Sequence, residues 1–152
     1  MDLRPGEQAA ELPAPDDAAL RFIGRIRTPW TDRKDCPRQG DPDGPLCRVE
    51  LDPPWDAALD GIEQFAGVEL LYWLDLSRRD LILQSPKSDG KVRGTFSLRS
   101  PVRPNPIGTS RVRLIGREGG KLLVRGLDCL DGTPLLDVKP DRCAYTPVAP
   151  DK

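Results

Sequence analysis

Apolar and polar positions alternate along much of this chain with a period of two, the spacing of a strand with one buried face. In Leu46–Leu51, Cys47, Val49 and Leu51 alternate with Arg48 and Glu50. Thr109–Arg117 sets Val112 and Leu114 against Arg111 and Arg113, and a second alternating stretch, Lys121–Leu127, follows Glu118-Gly119-Gly120. That pair reads as a β-hairpin on a glycine turn. Arg21–Arg27 predicts a first strand, and Gly67–Leu76, dense in Leu, Val, Tyr and Trp, a central one. Leu81–Gln84, Gly94–Leu98 and Leu135–Val138 are shorter strand candidates, the last following a turn at Asp131-Gly132. Pro53-Pro54-Trp55 opens a short helix through Leu59, with proline suited to a first turn and Gly61 to an end.

Two stretches lack such patterns. Residues 1–20 are rich in Ala, Pro and acid and read as a disordered or loosely attached tail. Thr28 to Pro45 is polar, proline-rich and long for a simple connection, which points to a functional loop. Short strands, frequent turns and one or two short helices give an all-β fold, a small closed or nearly closed barrel. A single barrel domain is expected over residues 21–152.

Composition narrows the chemistry. The chain has no histidine, which removes Ser-His-Asp and Cys-His catalysis and the usual neutral-pH base. Proton transfer would fall to a carboxylate, to Tyr72 or Tyr145, or to water. The four cysteines, Cys36, Cys47, Cys129 and Cys143, contain no C-x-x-C pair and have spacings unsuited to zinc, so reduced thiols and no metal are expected. No dinucleotide-binding G-x-G-x-x-G follows a strand, and Gly120-Lys121 lacks the rest of a P-loop. No apolar run spans a membrane and no signal pattern opens the chain, so a cytoplasmic protein is expected. Net charge is −1, yet residues 91–125 carry nine Lys and Arg against Glu118 alone. Such a block suits an anionic partner, nucleic acid included; on charge alone, a water-exposed basic strand face is the better explanation.

Three motifs carry candidate chemistry. Arg99-Ser100-Pro101-Val102-Arg103-Pro104-Asn105-Pro106-Ile107-Gly108 has three prolines in six residues. It predicts a stiff extended loop holding two guanidiniums and a carboxamide at fixed spacing, as a site for a charged ligand requires. Pro37-Arg38-Gln39-Gly40 presents a guanidinium and an amide in the long first loop. Asp128-Cys129-Leu130-Asp131-Gly132-Thr133-Pro134 makes a tight turn between strands, with acids able to accept bonds from sugar hydroxyls or an amine.

Ile23-Gly24-Arg25-Ile26-Arg27-Thr28-Pro29, Pro37-Arg38-Gln39, the Arg99–Gly108 run and the Leu127–Pro140 run together resemble the TrmO family (also YaeB, TsaA-like or VirR), over about 120 residues and in the family's order. The resemblance implies a small non-Rossmann β-barrel that binds S-adenosylmethionine. It also implies methylation of the exocyclic nitrogen of threonylcarbamoyl-adenosine beside the tRNA anticodon, and a homodimer. Carried over residue by residue, the donor would touch Pro37, Arg38, Gln39, Arg99, Thr109 and the turn Asp128, Cys129, Leu130, Asp131 and Gly132. Asp75 and Leu76 fall where a family histidine aligns and take its place among the donor contacts. Arg103 and Asn105, projecting from the rigid loop, are the expected substrate contacts; no catalytic base is assigned. The sequence has Ala66-Gly67 where members carry Ser-His, and Asp141 where a Tyr follows Lys-Pro. It ends about a dozen residues after Pro140, where tRNA-modifying members continue, so weak tRNA binding is expected. Alternatives to the tRNA methyltransferase are a methyltransferase of the same fold for a small substrate and a non-catalytic S-adenosylmethionine sensor.

Overall fold

The computed structural model describes residues 2–87 and 89–142. Nine strands run in chain order: β1 Gln8–Ala9, β2 Gly24–Arg27, β3 Cys47–Leu51, β4 Gly67–Trp73, β5 Leu81–Gln84, β6 Arg93–Gly94, β7 Ile107–Glu118, β8 Lys121–Arg125 and β9 Thr133–Pro140. Six of them close a barrel in the order β2-β3-β8-β7-β4-β9, and β1, β5 and β6 form a separate three-stranded sheet. Four short 3₁₀ segments complete the described elements, the longest being Trp55–Leu59, where the sequence predicts a short helix.

The period-two pattern sets the barrel's inside. Val49 of β3, Val68 and Leu70 of β4, Leu122 and Val124 of β8 and Leu135 of β9 are fully buried, while Arg25, Arg48 and Arg111 between such positions face water. Antiparallel registers align these positions: Ile26 faces Val49, Val49 faces Leu122, and Gly24 faces Leu135. The predicted hairpin forms with Glu118 opposite Lys121. Its two-residue turn places Gly119 at φ 60°, a left-handed conformation that glycine adopts without a Cβ penalty.

The chain divides into two compact units. One comprises Arg21–Tyr72 and Thr109–Lys152 and holds the barrel; the other comprises Met1–Leu20 and Trp73–Gly108. Residues 1–20, set apart from the expected 21–152 domain, supply a strand to the second unit. β1 pairs with β5, Ala10 N–H donates to Asp80 O at 2.7 Å, and the Ser85 N–H donates to Glu7 Oε1 at 2.9 Å. The loose-tail expectation is therefore corrected for Arg4–Ala10, whose backbone and side-chain bonds outweigh an unpromising composition. The expected strand over Gly94–Leu98 is also corrected: the extended backbone ends at Gly94, and Thr95–Ser97 is a 3₁₀ turn. There the Thr95 hydroxyl is buried and donates to Leu81 O at 2.6 Å, which closes the turn instead of extending a ladder.

Candidate functional site

In the barrel unit, the turn between β8 and β9 is held by the segment that leaves β2. Thr28 N–H donates to Asp131 Oδ1 at 3.1 Å, and its hydroxyl donates to Cys129 O at 2.8 Å. Asp131 N–H donates to Trp30 O and Gly132 N–H to Ile26 O, both at 2.8 Å. Thr133 closes the turn with its hydroxyl on Leu130 O at 2.6 Å, and Arg25 Nη1 donates to Gly132 O at 3.0 Å. Gly132 stands at φ 81°, so the predicted Asp-Gly turn requires its glycine. Arg27 Nη1 lies 3.9 Å from Asp131 Oδ2, while its Nε bonds Glu50 at 2.7 Å. The donor-contact candidates Asp128, Cys129, Leu130, Asp131 and Gly132 thus form one braced turn.

Beneath it, the Tyr72 hydroxyl bonds Ser110 Oγ at 2.7 Å and donates to Asp128 Oδ1 at 3.3 Å. The phenol has one proton; given to Asp128, it leaves Ser110 as the donor to Tyr72. Burial raises the Tyr72 pKa far above its ordinary value, and the neighbouring Asp128 charge adds to this. Tyr72 therefore stays protonated at neutral pH and is no general base. The Cys129 thiol is likewise pushed up to about 12 by burial, so it packs as a small neutral group and not as a thiolate. Cys36 and Cys47 are also free thiols, and Cys143 lies outside the described residues.

The long first loop, with Pro37, Arg38 and Gln39, is fastened to the outer face of the hairpin. Arg125 Nη1 donates to Gly44 O at 2.6 Å, and Arg113 Nη1 to Pro42 O at 3.1 Å and Asp43 Oδ1 at 2.9 Å. Gly40 lies directly on the backbone of Gly126, where a Cβ would fall 1.8 Å from the Gly126 oxygen. The side chains of Arg38 and Gln39 remain exposed. Thr109, on the same unit, donates from its hydroxyl to Glu69 Oε1 at 3.0 Å.

In the second unit the proline-rich loop, predicted stiff and extended, is tied from several sides. Arg79 Nε donates to Pro104 O at 2.6 Å, its Nη2 to Asn105 Oδ1 at 3.3 Å, and its guanidinium lies 5.1 Å from the Trp73 ring centroid. Gln84 Nε2 donates to Val102 O at 2.7 Å, and Leu74 N–H to Pro106 O at 2.8 Å. Arg103 does not project as expected. It is half-buried, and its Nη1 donates to Leu98 O at 2.9 Å and Ser100 O at 3.0 Å. Prolines 101, 104 and 106 contribute no N–H, so a side chain supplies donors that the local backbone lacks. Arg99 is exposed and has no hydrogen-bond or ion-pair partner among the described residues. Asp75 and Leu76 are exposed in the same unit, Leu76 at 71%.

The N-terminal domain model of tRNA-methyltransferase O matches residues 25–146, most of the chain. The chain belongs to the TrmO N-terminal domain family. A probable S-adenosyl-L-methionine-binding protein, VirR of Rhizobium radiobacter, is 57% identical over 97% of this chain and 85% of its own length. A crystal structure of TrmO from Pseudomonas aeruginosa superposes with a TM-score of 0.72 at 37% identity, covering 93% of this chain and 61% of that one. A tRNA (adenine(37)-N6)-methyltransferase of Mus musculus is 40% identical over 55% of this chain and 20% of its own length. The chain thus spans most of VirR but under two thirds of the TrmO chain.

Among TrmO-family motifs, the residues quoted from the sequence are the ones that form the turn and the loop. Sequence reasoning missed the braces: Ser110 under Asp128, Arg79 on the loop, and Gly40 against Gly126. Thr28 lay inside the Ile23–Pro29 motif and was within reach; nothing in the sequence marks Arg79 or Ser110. Among the described residues no group of His, Cys, Asp or Glu could hold a metal ion, and no helix is long and apolar enough to cross a membrane.

Proposed function

We propose that this chain binds S-adenosylmethionine and transfers its methyl group to the exocyclic nitrogen of threonylcarbamoyl-adenosine next to the tRNA anticodon, acting as a cytoplasmic homodimer. The observation that carries the reading is Arg99: an exposed guanidinium with no partner among the described residues, on a loop otherwise tied from several sides, in a chain that carries the TrmO motifs. Such a group awaits a carboxylate, and the methionine part of the donor has one.

The residues present fit the donor's chemistry. Arg99 and Arg38 suit the carboxylate, the braced Asp128–Gly132 turn offers acceptors for ribose hydroxyls and the α-amine, and Gln39 and Thr109 add amide and hydroxyl groups. Asp75, Leu76, Pro37, Cys129 and Leu130 are the remaining proposed donor contacts. When bound, the sulfonium supplies an electrophilic methyl group for in-line displacement. The chain's own residues orient the reactants and exclude water. Tyr72 holds Asp128 and keeps its proton, so base catalysis through this phenol plays no part. Arg103 and Asn105, beyond their work in the loop, stand on the acceptor side.

A second reading is a methyltransferase of the same fold that takes a smaller acceptor. Nucleoside analysis of tRNA from a deletion strain tests the first reading: loss of the methylated threonylcarbamoyl-adenosine is expected. Unchanged tRNA, with S-adenosylmethionine still bound by the purified protein, transfers the assignment to the smaller acceptor.

A further inference from the structure

Phe96 is 80% exposed, an uncommon position for a phenylalanine on so ordered a segment. It sits in the Thr95–Ser97 turn, and that turn is anchored on both sides of the ring's backbone. The buried Thr95 hydroxyl donates to Leu81 O and accepts from Gln84 Nε2 at 2.9 Å. The Ser97 hydroxyl donates to Gly94 O at 2.7 Å, and Leu98 N–H donates to Thr95 O at 3.2 Å. The aromatic ring is therefore held out into solvent by its neighbours' bonds. The Arg103 guanidinium lies 6.0 Å from the ring centroid while its Nη1 fixes the loop carbonyls. Lys87, Lys91 and Arg93 precede the ring along the chain and are all exposed, and Asp89 is the acid among them.

We propose that Phe96 is a stacking platform for an unpaired nucleobase of the RNA substrate, with the adjoining cations receiving the phosphates on either side. The proposal rests on the reading that the acceptor is tRNA. Its argument is complementarity of two kinds on one stretch of chain. An exposed π-face accepts any base, and a run of cations neutralises the strand that carries it; the two together distinguish single-stranded nucleic acid from an apolar protein partner. Anchoring matters as well: a backbone turn already fixed does not have to be ordered when a base stacks on its ring. The proline-rich loop that follows the turn carries Arg103 and Asn105, so a base held on Phe96 would set the register of the RNA against them.

The test uses the full chain and an anticodon stem-loop RNA with 2-aminopurine in its loop. Phe96→Ala is expected to weaken RNA binding by about tenfold to a hundredfold and to abolish stacking-induced quenching of the probe. Phe96→Leu, apolar but without a π-face, should fall with Ala, while Phe96→Trp should match or exceed the parent. S-adenosylmethionine affinity should be unchanged in all three, which shows that they are folded. RNA affinity within twofold of the parent in Phe96→Ala overturns the platform, as does Phe96→Leu binding like the parent. A shift in oligomeric state on light scattering caused by Phe96→Ala also overturns it and assigns the ring to a contact with a second copy. If the parent methylates tRNA while Phe96→Ala binds RNA normally, only the platform falls. If the parent binds S-adenosylmethionine but not the stem-loop, the tRNA reading falls with it.

Discussion

Inside the barrel the Tyr72 hydroxyl donates to the Asp128 carboxylate at 3.3 Å, and Ser110 completes the hydrogen bonding of the phenol. This ties the first residue of the β8–β9 turn to strands β4 and β7. Tyr72→Phe removes the tie without changing the shape of the core. It should cost about 0.5–1.5 kcal/mol of stability and weaken S-adenosylmethionine binding, with Ser110→Ala showing the same pattern more mildly. Denaturant unfolding and calorimetry read the two effects. A Tyr72→Phe protein with parental donor affinity would show that the turn needs no support from below.

Arg99→Ala should weaken donor binding by roughly 1.5–3 kcal/mol, the range of a charged hydrogen bond. The melting temperature without ligand should barely move, because Arg99 has no partner to lose among the described residues. Arg103→Ala should behave in the opposite way. It strips donors from Leu98 O and Ser100 O, and the loss should appear first as faster amide exchange in the loop. An Arg103→Ala loop as protected as the parent would return that side chain to a purely acceptor-side role.

Gly40→Ala is expected to displace the Pro37–Gln39 segment, since the new Cβ would meet the Gly126 oxygen at 1.8 Å and backbone cannot yield as a side-chain tip can. A stability cost of about 1–3 kcal/mol, typical of overpacking, should accompany reduced donor affinity. Thermal melts with and without S-adenosylmethionine measure both.

Strands and turns were legible wherever burial alternates, because a half-buried strand writes its geometry as a period of two. Val49 and the Lys121–Leu127 stretch were placed on this basis alone, and Asp131-Gly132 by turn chemistry. The Gly94–Leu98 segment misled because the fate of Thr95 depends on Leu81 and Gln84, far from it in sequence. β1 escaped for the same reason: Gln8 and Ala9 have no apolar pattern and are strand only through their pairing with β5. In the candidate site the proposed donor contacts were readable as motifs. The groups that hold them, Arg79, Ser110 and Gly126, are ordinary residues whose role exists only in three dimensions.

Glu50 gives a pH dependence of known sign. Its hydrogen bond to Arg27 holds its carboxyl below the ordinary value of 4.5, with Arg27 and Lys121 charges adding to this. A lowered folded-state pKa means stability that is present above the unfolded value and lost as pH falls through the folded one. Both side chains are partly exposed, so the pair is worth under about 1 kcal/mol. Glu50→Gln should therefore be slightly less stable than the parent at pH 7 and indistinguishable from it once acid has protonated Glu50. A gap in stability that persists at pH 2 would show that the pair is not its source.

If tRNA is the substrate, its affinity should fall with salt at a log–log slope of about −0.7 to −0.9 per phosphate contact. Filter binding across a salt series reads the slope. A flat series would assign the basic stretch to solvent.

The barrel closes where β2 meets β9, a seam whose register sets Gly24 against Leu135. The two sides of that seam are more than a hundred residues apart in the chain. Every other barrel strand must be in hand before it can zip, so the hairpin of β7 and β8 is free to form early while the seam has to wait. Folding should then be slow for a chain of this length. On the ribosome the half-made barrel would keep β2 unsatisfied on one edge until Leu135 emerges, and that interval is when a nascent chain is most in need of a chaperone.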